Sequence, residues 1–223
     1  MNGSLPPFIL FDLDGTLLDS LPGITFSVRE ASRMVGLPEP KTDLRSLLGP
    51  PIREILARAV QTDDPALIDQ LEQAFRVSYD SEGWRKTSCF AGAKETLGMM
   101  QEAGYRLFVV SNKPRHISLK ILEREGLLPL FEQIYTRDSR APACTKSEML
   151  QIFLSEYDVP SRDCLMVGDT MEDAIAAAAS GIGFACMTHG YGELTPTLST
   201  PIAYKFDSFW QFLQLVAQEP VRD

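Results

Sequence analysis

The 223 residues are 44% hydrophobic and 23% charged, enough for one sizeable globular domain, or one domain with a smaller insertion, that needs no disulfides to hold its core. The formal net charge of −9 argues against a general binder of nucleic acid or of anionic membranes, which Lys and Arg must meet. Cys89, Cys144, Cys164 and Cys186 lie far apart without a C-x-x-C pair, and the chain has 2 histidines, so no zinc site is expected and the thiols read as reduced and cytoplasmic.

The chain opens with a short apolar run, Phe8–Phe11, stopped by Asp12 and Asp14. It has no basic flank and is too short to be a signal peptide or a membrane span. Read as a buried strand, it delivers Asp12, Leu13, Asp14, Gly15 and Thr16 to its carboxyl end, where open α/β sheets bind ligands. In a continuing strand Asp12 and Asp14 would share a face, and their carboxylates would repel each other unless a divalent cation stood between them. Gly15 permits a sharp turn close to a ligand.

From Leu21 to Lys86 no strand is expected. ITFSVREASRMVG, TDLRSLLG, PIREILARAV and DPALIDQLEQAFRVSYDSEG all carry apolar residues at helical spacing. The stretch reads as an all-helical module inserted into an α/β domain, with crossings near Ser20–Pro22 and Thr87–Gly92 acting as hinges.

The alternation of strand and helix then begins. A helix is expected over Ala91–Gly104 and a strand over Arg106–Ser111, ending in Ser111, Asn112 and Lys113. A helix follows over Pro114–Gly126. A hydroxyl and backbone amides at that helix start suit an anion. Next come a strand over Gln133–Thr136, the loop Arg137–Thr145, and a helix over Thr145–Asp158. Lys146 opens this last helix, where its charge opposes the macrodipole and calls for a compensating anion. A strand at Cys164–Val167 ends in Gly168 and Asp169, and Asp173 lies four residues further, in the first turn of the next helix. Asp173 can approach the Asp169 locus while Glu172 points elsewhere. Few oxygen ligands suit Mg²⁺. Further strands are expected at Gly183–Met187 and Ala203–Phe206. The stripe Phe206, Phe209, Trp210, Phe212 and Leu213 reads as aromatic packing of a C-terminal helix. Strands alternating with helices imply a parallel sheet covered on both faces. His116 and His189 read as surface or loop residues.

The four stations around Asp12, Ser111, Lys146 and Asp169, in this order, resemble the haloacid dehalogenase superfamily of phosphohydrolases. The resemblance runs from Phe8 to about Met187. FDLDGTLLDS, SNKP and HGYGEL make the chain most similar to the phosphoglycolate phosphatase-type branch. It departs where Ser147 follows Lys146 in place of the frequent Pro, and where Ala91-Gly92 replaces Pro-Gly.

The resemblance implies an α/β, Rossmann-like core over 1–20 and 87–223 and a small all-helical cap over 21–86. It implies that Asp12 is a nucleophile forming an aspartyl phosphate, and that Asp14 is the acid–base group. Lys146, Ser111 and Asn112 would hold the phosphoryl oxygens, with Thr16 and Lys113 as further substrate-binding positions. Mg²⁺ would sit on Asp12, the Asp14 backbone carbonyl and Asp169, supported by Asp173. Arg45 and Arg53, flanking LLGPPI in the cap, are candidates for a substrate carboxylate or second phosphate.

The implied protein is a cytoplasmic monomer or homodimer that hydrolyses a small phosphorylated metabolite, with phosphoglycolate first. A nucleotide, a sugar phosphate, pyrophosphate or a sugar phosphomutase reaction are alternatives. So is a silent binding protein, against which the full set of acids argues. Asp14 argues for phosphorus over carbon chemistry.

Overall fold

The structure, a computed structural model, describes residues 5–192, 194 and 200–218. Six parallel strands form its central sheet: β1 (Phe8–Phe11), β4 (Arg106–Ser111), β5 (Gln133–Thr136), β6 (Cys164–Gly168), β7 (Gly183–Met187) and β8 (Tyr204–Phe206). Their spatial order is β5-β4-β1-β6-β7-β8. The first strand of the chain is therefore flanked by β4 and β6, with Phe11 level with Val109 on one side and Val167 on the other. This placement sets the three expected functional strand ends side by side.

The four inner strands, β4, β1, β6 and β7, are buried on both faces, and their side chains alternate between two cores. Ile9, Phe11, Leu107, Val109, Leu165 and Val167 point into one core. It is shared with helices α1 (Leu21–Met34), α4 (Ala93–Glu102), α5 (Arg115–Arg124) and α8 (Phe209–Val216). Leu10, Phe108, Val110 and Met166 point into the other, against α6 (Lys146–Tyr157) and α7 (Met171–Ala179). Ala174, Ala176 and Ala177 let α7 sit close to the sheet. Trp210 departs from the expected aromatic stripe: it is 47% exposed while Phe209 and Phe212 are buried.

Between Leu21 and Lys86 the described elements are all helical, as expected. They are α1, α2 (Ile52–Val60), α3 (Pro65–Ser81) and two 3-10 turns. Helix α1 starts at Leu21, earlier than Ile24, because Pro22 falls in its first turn, where the missing N–H costs nothing. Leu44–Leu47 is a 3-10 turn and not the expected α-helix. Asp43 caps it, and Gly49, Pro50 and Pro51 follow too closely for a longer helix.

A second sheet was not anticipated. β2 (Leu18–Asp19) and β3 (Ser88–Cys89) pair antiparallel at the two chain crossings into the helical segment. Two residues carry no periodicity to read. No helix among the described residues is long and apolar enough to cross a membrane.

Candidate active site

Three of the four stations sit at the carboxyl end of a strand, and Lys146 opens α6. Asp12 directly follows β1, Ser111 ends β4, and Asp169 directly follows β6. The backbone does not continue as a strand past Asp12. It turns at Gly15, whose φ of 85° is a left-handed conformation open to glycine. A Cβ there would lie 2.3 Å from an Asp169 carboxylate oxygen. The turn carries Asp14 away from Asp12, so the two do not share a strand face; Asp14 turns instead toward Lys113.

Asp12, Asp169 and Asp173 are buried and each offers one oxygen within 4.8 Å of the others. Burial above all, then Asp173, Asp169 and Asp14, push Asp12 up from 3.8 to about 8 despite the opposing pull of Lys146. Burial and Asp173 push Asp169 up to about 6, held back by its bonds from Tyr191 and Thr16. One ammonium answers this cluster. Lys146 Nζ donates to Asp173 Oδ1 at 2.5 Å and lies 3.2 Å from Asp12 Oδ1. That second contact lacks hydrogen-bond geometry, so Asp12 Oδ1 is buried without a hydrogen bond. Burial disfavours the charge on Lys146, yet Asp12 and Asp173 hold it well above the ordinary lysine range. The compensating anion expected for Lys146 at its helix start is this cluster. The charge left over, and the all-oxygen donor set, fit a divalent cation such as Mg²⁺.

Asp173 plays two parts in orienting the site. Its Oδ2 accepts from the N–H and the hydroxyl of Thr170, closing a capping box at the start of α7. Its Oδ1 receives Lys146. With both oxygens engaged, it supports the cluster through hydrogen bonds.

Thr16 lies beside Asp169. Its buried hydroxyl, expected at the substrate, donates to Asp169 Oδ1 at 2.8 Å and so orients a carboxylate. The backbone N–H of Tyr191 donates to Asp169 Oδ2 at 2.8 Å. The Tyr191 hydroxyl accepts from the N–H groups of Ser20 and Leu21 and donates to Asp19. Tyr191 thus ties the Asp169 loop to the first chain crossing. A Cβ at Gly190 would lie 2.2 Å from that of Asp169, so the glycine lets the loop close on it. The string HGYGEL hinted at this part without assigning a role; its Glu193 lies outside the described residues.

Beside the cluster is a cavity of about 490 Å³ between the strand ends and the helical segment. Asp14, Asn112 and Lys113 line it from the strand side, and Ile52, Phe75 and Tyr79 from the helical side. Asp12 lies outside that lining and is 5% exposed. Lys113 is buried and donates to Asp14 Oδ1 at 2.9 Å and to the Tyr79 hydroxyl at 2.8 Å. Asn112 donates its side-chain amide to Glu172 at 2.8 Å, so Glu172 points to the site, which corrects the expectation that it points elsewhere.

Residues 9–187 match the haloacid dehalogenase-like hydrolases. The chain belongs to this family. Tyrosine-protein kinase PtkA of Mycobacterium tuberculosis is 35% identical over 192 residues, covering 86% of this chain and 65% of the relative's own length. Phosphoglycolate phosphatase of Vibrio vulnificus is 30% identical over 216 residues, covering 93% of this chain and 95% of the relative. The crystal structure of a predicted phosphoglycolate phosphatase from Haemophilus somnus superposes with a TM-score of 0.83 at 26% identity, covering 94% of this chain and 97% of that one. The resemblance to the phosphoglycolate phosphatase-type branch stands on these matches.

In this chain the two arginines expected to meet substrate are otherwise engaged. Arg45 donates to the backbone carbonyls of His189 and Gly190 at 3.2 and 2.5 Å and does not line the cavity. Arg53 lines it but is paired with Asp69 and Glu72. His116, at the cavity, pairs with Asp80. Burial pulls His189 below the ordinary histidine range, and its ring donates to the carbonyl of Thr16 at 3.0 Å. Tyr79 and Tyr191 escaped the sequence reading because a tyrosine at helical spacing, or between glycines, announces packing or a turn and nothing more.

Proposed function

We propose that this chain is a Mg²⁺-dependent phosphatase that hydrolyses a small phosphorylated metabolite through an aspartyl phosphate on Asp12. The observation that supports this most is the meeting of Asp12, Asp169 and Lys146 at adjacent strand ends, next to a cavity of small-ligand size. When bound, Mg²⁺ held by Asp12, Asp169 and the Asp14 carbonyl offsets the repulsion between carboxylate and phosphate.

In the first step an Asp12 oxygen bonds to phosphorus as the ester P–O bond breaks. Asp14, at the cavity, gives its proton to the leaving oxygen. In the second, Asp14 takes a proton from a water that attacks the phosphoryl group, and phosphate leaves with Asp12 restored. Lys146, Ser111 and the Asn112 amide hold the phosphoryl oxygens, the charge stabilisation on which phosphoryl transfer depends. The helical segment 21–86 acts as a cap that excludes water, with the β2–β3 ribbon as its hinge.

Phosphoglycolate is the first substrate to test, supported by relatives of that name over nearly the whole chain. A second reading, phosphoryl transfer involving protein tyrosine, is favoured by the 35% identity to PtkA. Phosphate release from a panel of phosphorylated metabolites, with Mg²⁺ and with EDTA, tests the proposal. Metal-dependent release is expected, concentrated on phosphoglycolate. Absence of release from every ester, together with phosphate transfer from ATP to a tyrosine peptide, would favour the second reading.

A further inference from the structure

Of the cationic side chains around the cavity, most already have an anionic partner. Arg53 is paired with Asp69 and Glu72, Arg76 with Glu72, Lys113 with Asp14, and His116 with Asp80. Arg137 also lines the cavity, and among the described residues its guanidinium has no hydrogen bond or ion pair. Two further carboxylates line the space. Asp138 is held by the N–H of Arg115, and Glu54 lies in the first turn of α2.

The backbone at Arg137 is fixed. Its N–H donates to the carbonyl of Ser111 at 3.1 Å, and its carbonyl accepts from Cys144 at 2.9 Å. Ser139 bonds back to Thr136 and closes the start of the loop. Arg137 therefore sits in the turn directly after β5, its backbone anchored to the last residue of β4.

Strand register gives its distance from the nucleophile. Phe11 is level with Val109, and Ser111 with Thr136. Arg137 is then two strands sideways from Asp12 and about two residues further toward the cavity. With strand spacings of about 4.8 Å and a rise of about 3.3 Å per residue, the two backbones are about 12 Å apart. A carboxylate nucleophile, a phosphoryl group, a leaving group of two or three atoms and an arginine side chain together span that gap.

We infer that Arg137 is the residue that selects a second negative charge, a carboxylate or another phosphate, on the leaving group of the substrate. This rests on the phosphatase reading above and deepens it. A planar guanidinium gives a carboxylate two parallel hydrogen bonds, and a neutral group of the same size leaves them unmade. The loop that carries Arg137 supplies the selectivity that Arg45 and Arg53, already engaged, do not.

The test compares 2-phosphoglycolate with 2-hydroxyethyl phosphate, which replaces the carboxylate by a neutral alcohol, in the wild type, Arg137→Ala and Arg137→Lys, with p-nitrophenyl phosphate reporting the chemistry itself. The wild-type preference in kcat/KM for the acid should fall roughly 10- to 100-fold in Arg137→Ala, mainly through KM, and recover in part in Arg137→Lys. An equal preference in wild type and Arg137→Ala, or none in the wild type, would overturn the role of Arg137. If the wild type hydrolyses none of the three esters, the phosphatase reading fails separately. Calorimetric binding of 3-phosphonopropionate against propylphosphonate then decides on Arg137. Tighter binding of the acid by the wild type, lost in Arg137→Ala, supports it, and equal binding overturns it.

Discussion

The ammonium of Lys113, just past β4, lies 2.8 Å from the hydroxyl of Tyr79 in α3. The same ammonium sits 4.8 Å from the centre of the Tyr79 ring and also holds Asp14. One buried cation thus joins the cap to the residue assigned acid–base duty. In the proposed mechanism, closing the cap would position Asp14 in the same event.

Tyr79→Phe keeps the ring and removes the hydroxyl, which also bonds Thr87. A lost buried hydrogen bond of this kind costs about 1 kcal/mol, or a melting temperature lower by about 2–4 °C at this chain length. With Lys113 less firmly held, kcat/KM should fall about 3- to 10-fold. Steady-state kinetics beside a thermal melt checks both; unchanged kinetics with the expected drop in melting temperature would reduce the contact to a structural one.

Asp12→Asn should abolish turnover, by about 10⁴-fold or more, because an amide is no nucleophile for phosphorus. The same change removes a buried carboxylate pushed up to about 8, whose charge is unfavourable at neutral pH. Without metal, the variant should melt above the wild type at pH 8. Activity assays and paired melts in EDTA measure the two effects; measurable wild-type activity would remove the covalent step.

Metal and protons should compete for the same oxygens. Asp12 and Asp169 are raised in the folded protein to about 8 and about 6 from 3.8. Between pH 4 and 8 the folded state therefore binds more protons than the unfolded one, and this contribution to metal-free stability falls as pH rises through that window. Below it both states are protonated, and the contribution is fully present and no longer changes with pH. Mg²⁺ relieves the burial of charge, so the rise in melting temperature it confers should be larger at pH 8 than at pH 5.5. An equal rise at both would place the ion elsewhere.

Thr16→Val deletes the hydroxyl that holds Asp169. Loss of such an orienting bond typically weakens metal affinity 10- to 100-fold. The Mg²⁺ activation curve should move by that factor, while KM at saturating Mg²⁺ shifts far less. The reverse pattern would return Thr16 to the substrate.

Read in one dimension, the chain discloses its strands and most of its chemistry. Five of the six core strands fall on the expected residues, because runs such as Phe8–Phe11 and Cys164–Gly168 are buried on both faces and so continuously apolar. Asp12, Ser111 and Asp169 were legible for the same reason: an apolar strand that stops at a polar group marks its carboxyl end. The helical segment was legible from its spacing, save at Leu44–Leu47, where neighbouring prolines override a helical pattern.

What only the tertiary structure decided is where each polar side chain finds its partner. Thr16 bonds Asp169 across 153 residues, Lys113 meets Tyr79 across 34, and Arg45 is taken up by carbonyls 144 and 145 residues away. A side chain shows its type in sequence but not its neighbours, and a buried donor must take whichever acceptor the fold brings within about 3 Å. By the same logic Arg53 looked free in sequence and is paired, while Arg137, in a loop without periodicity, lines the cavity with a guanidinium that has no hydrogen bond or ion pair among the described residues.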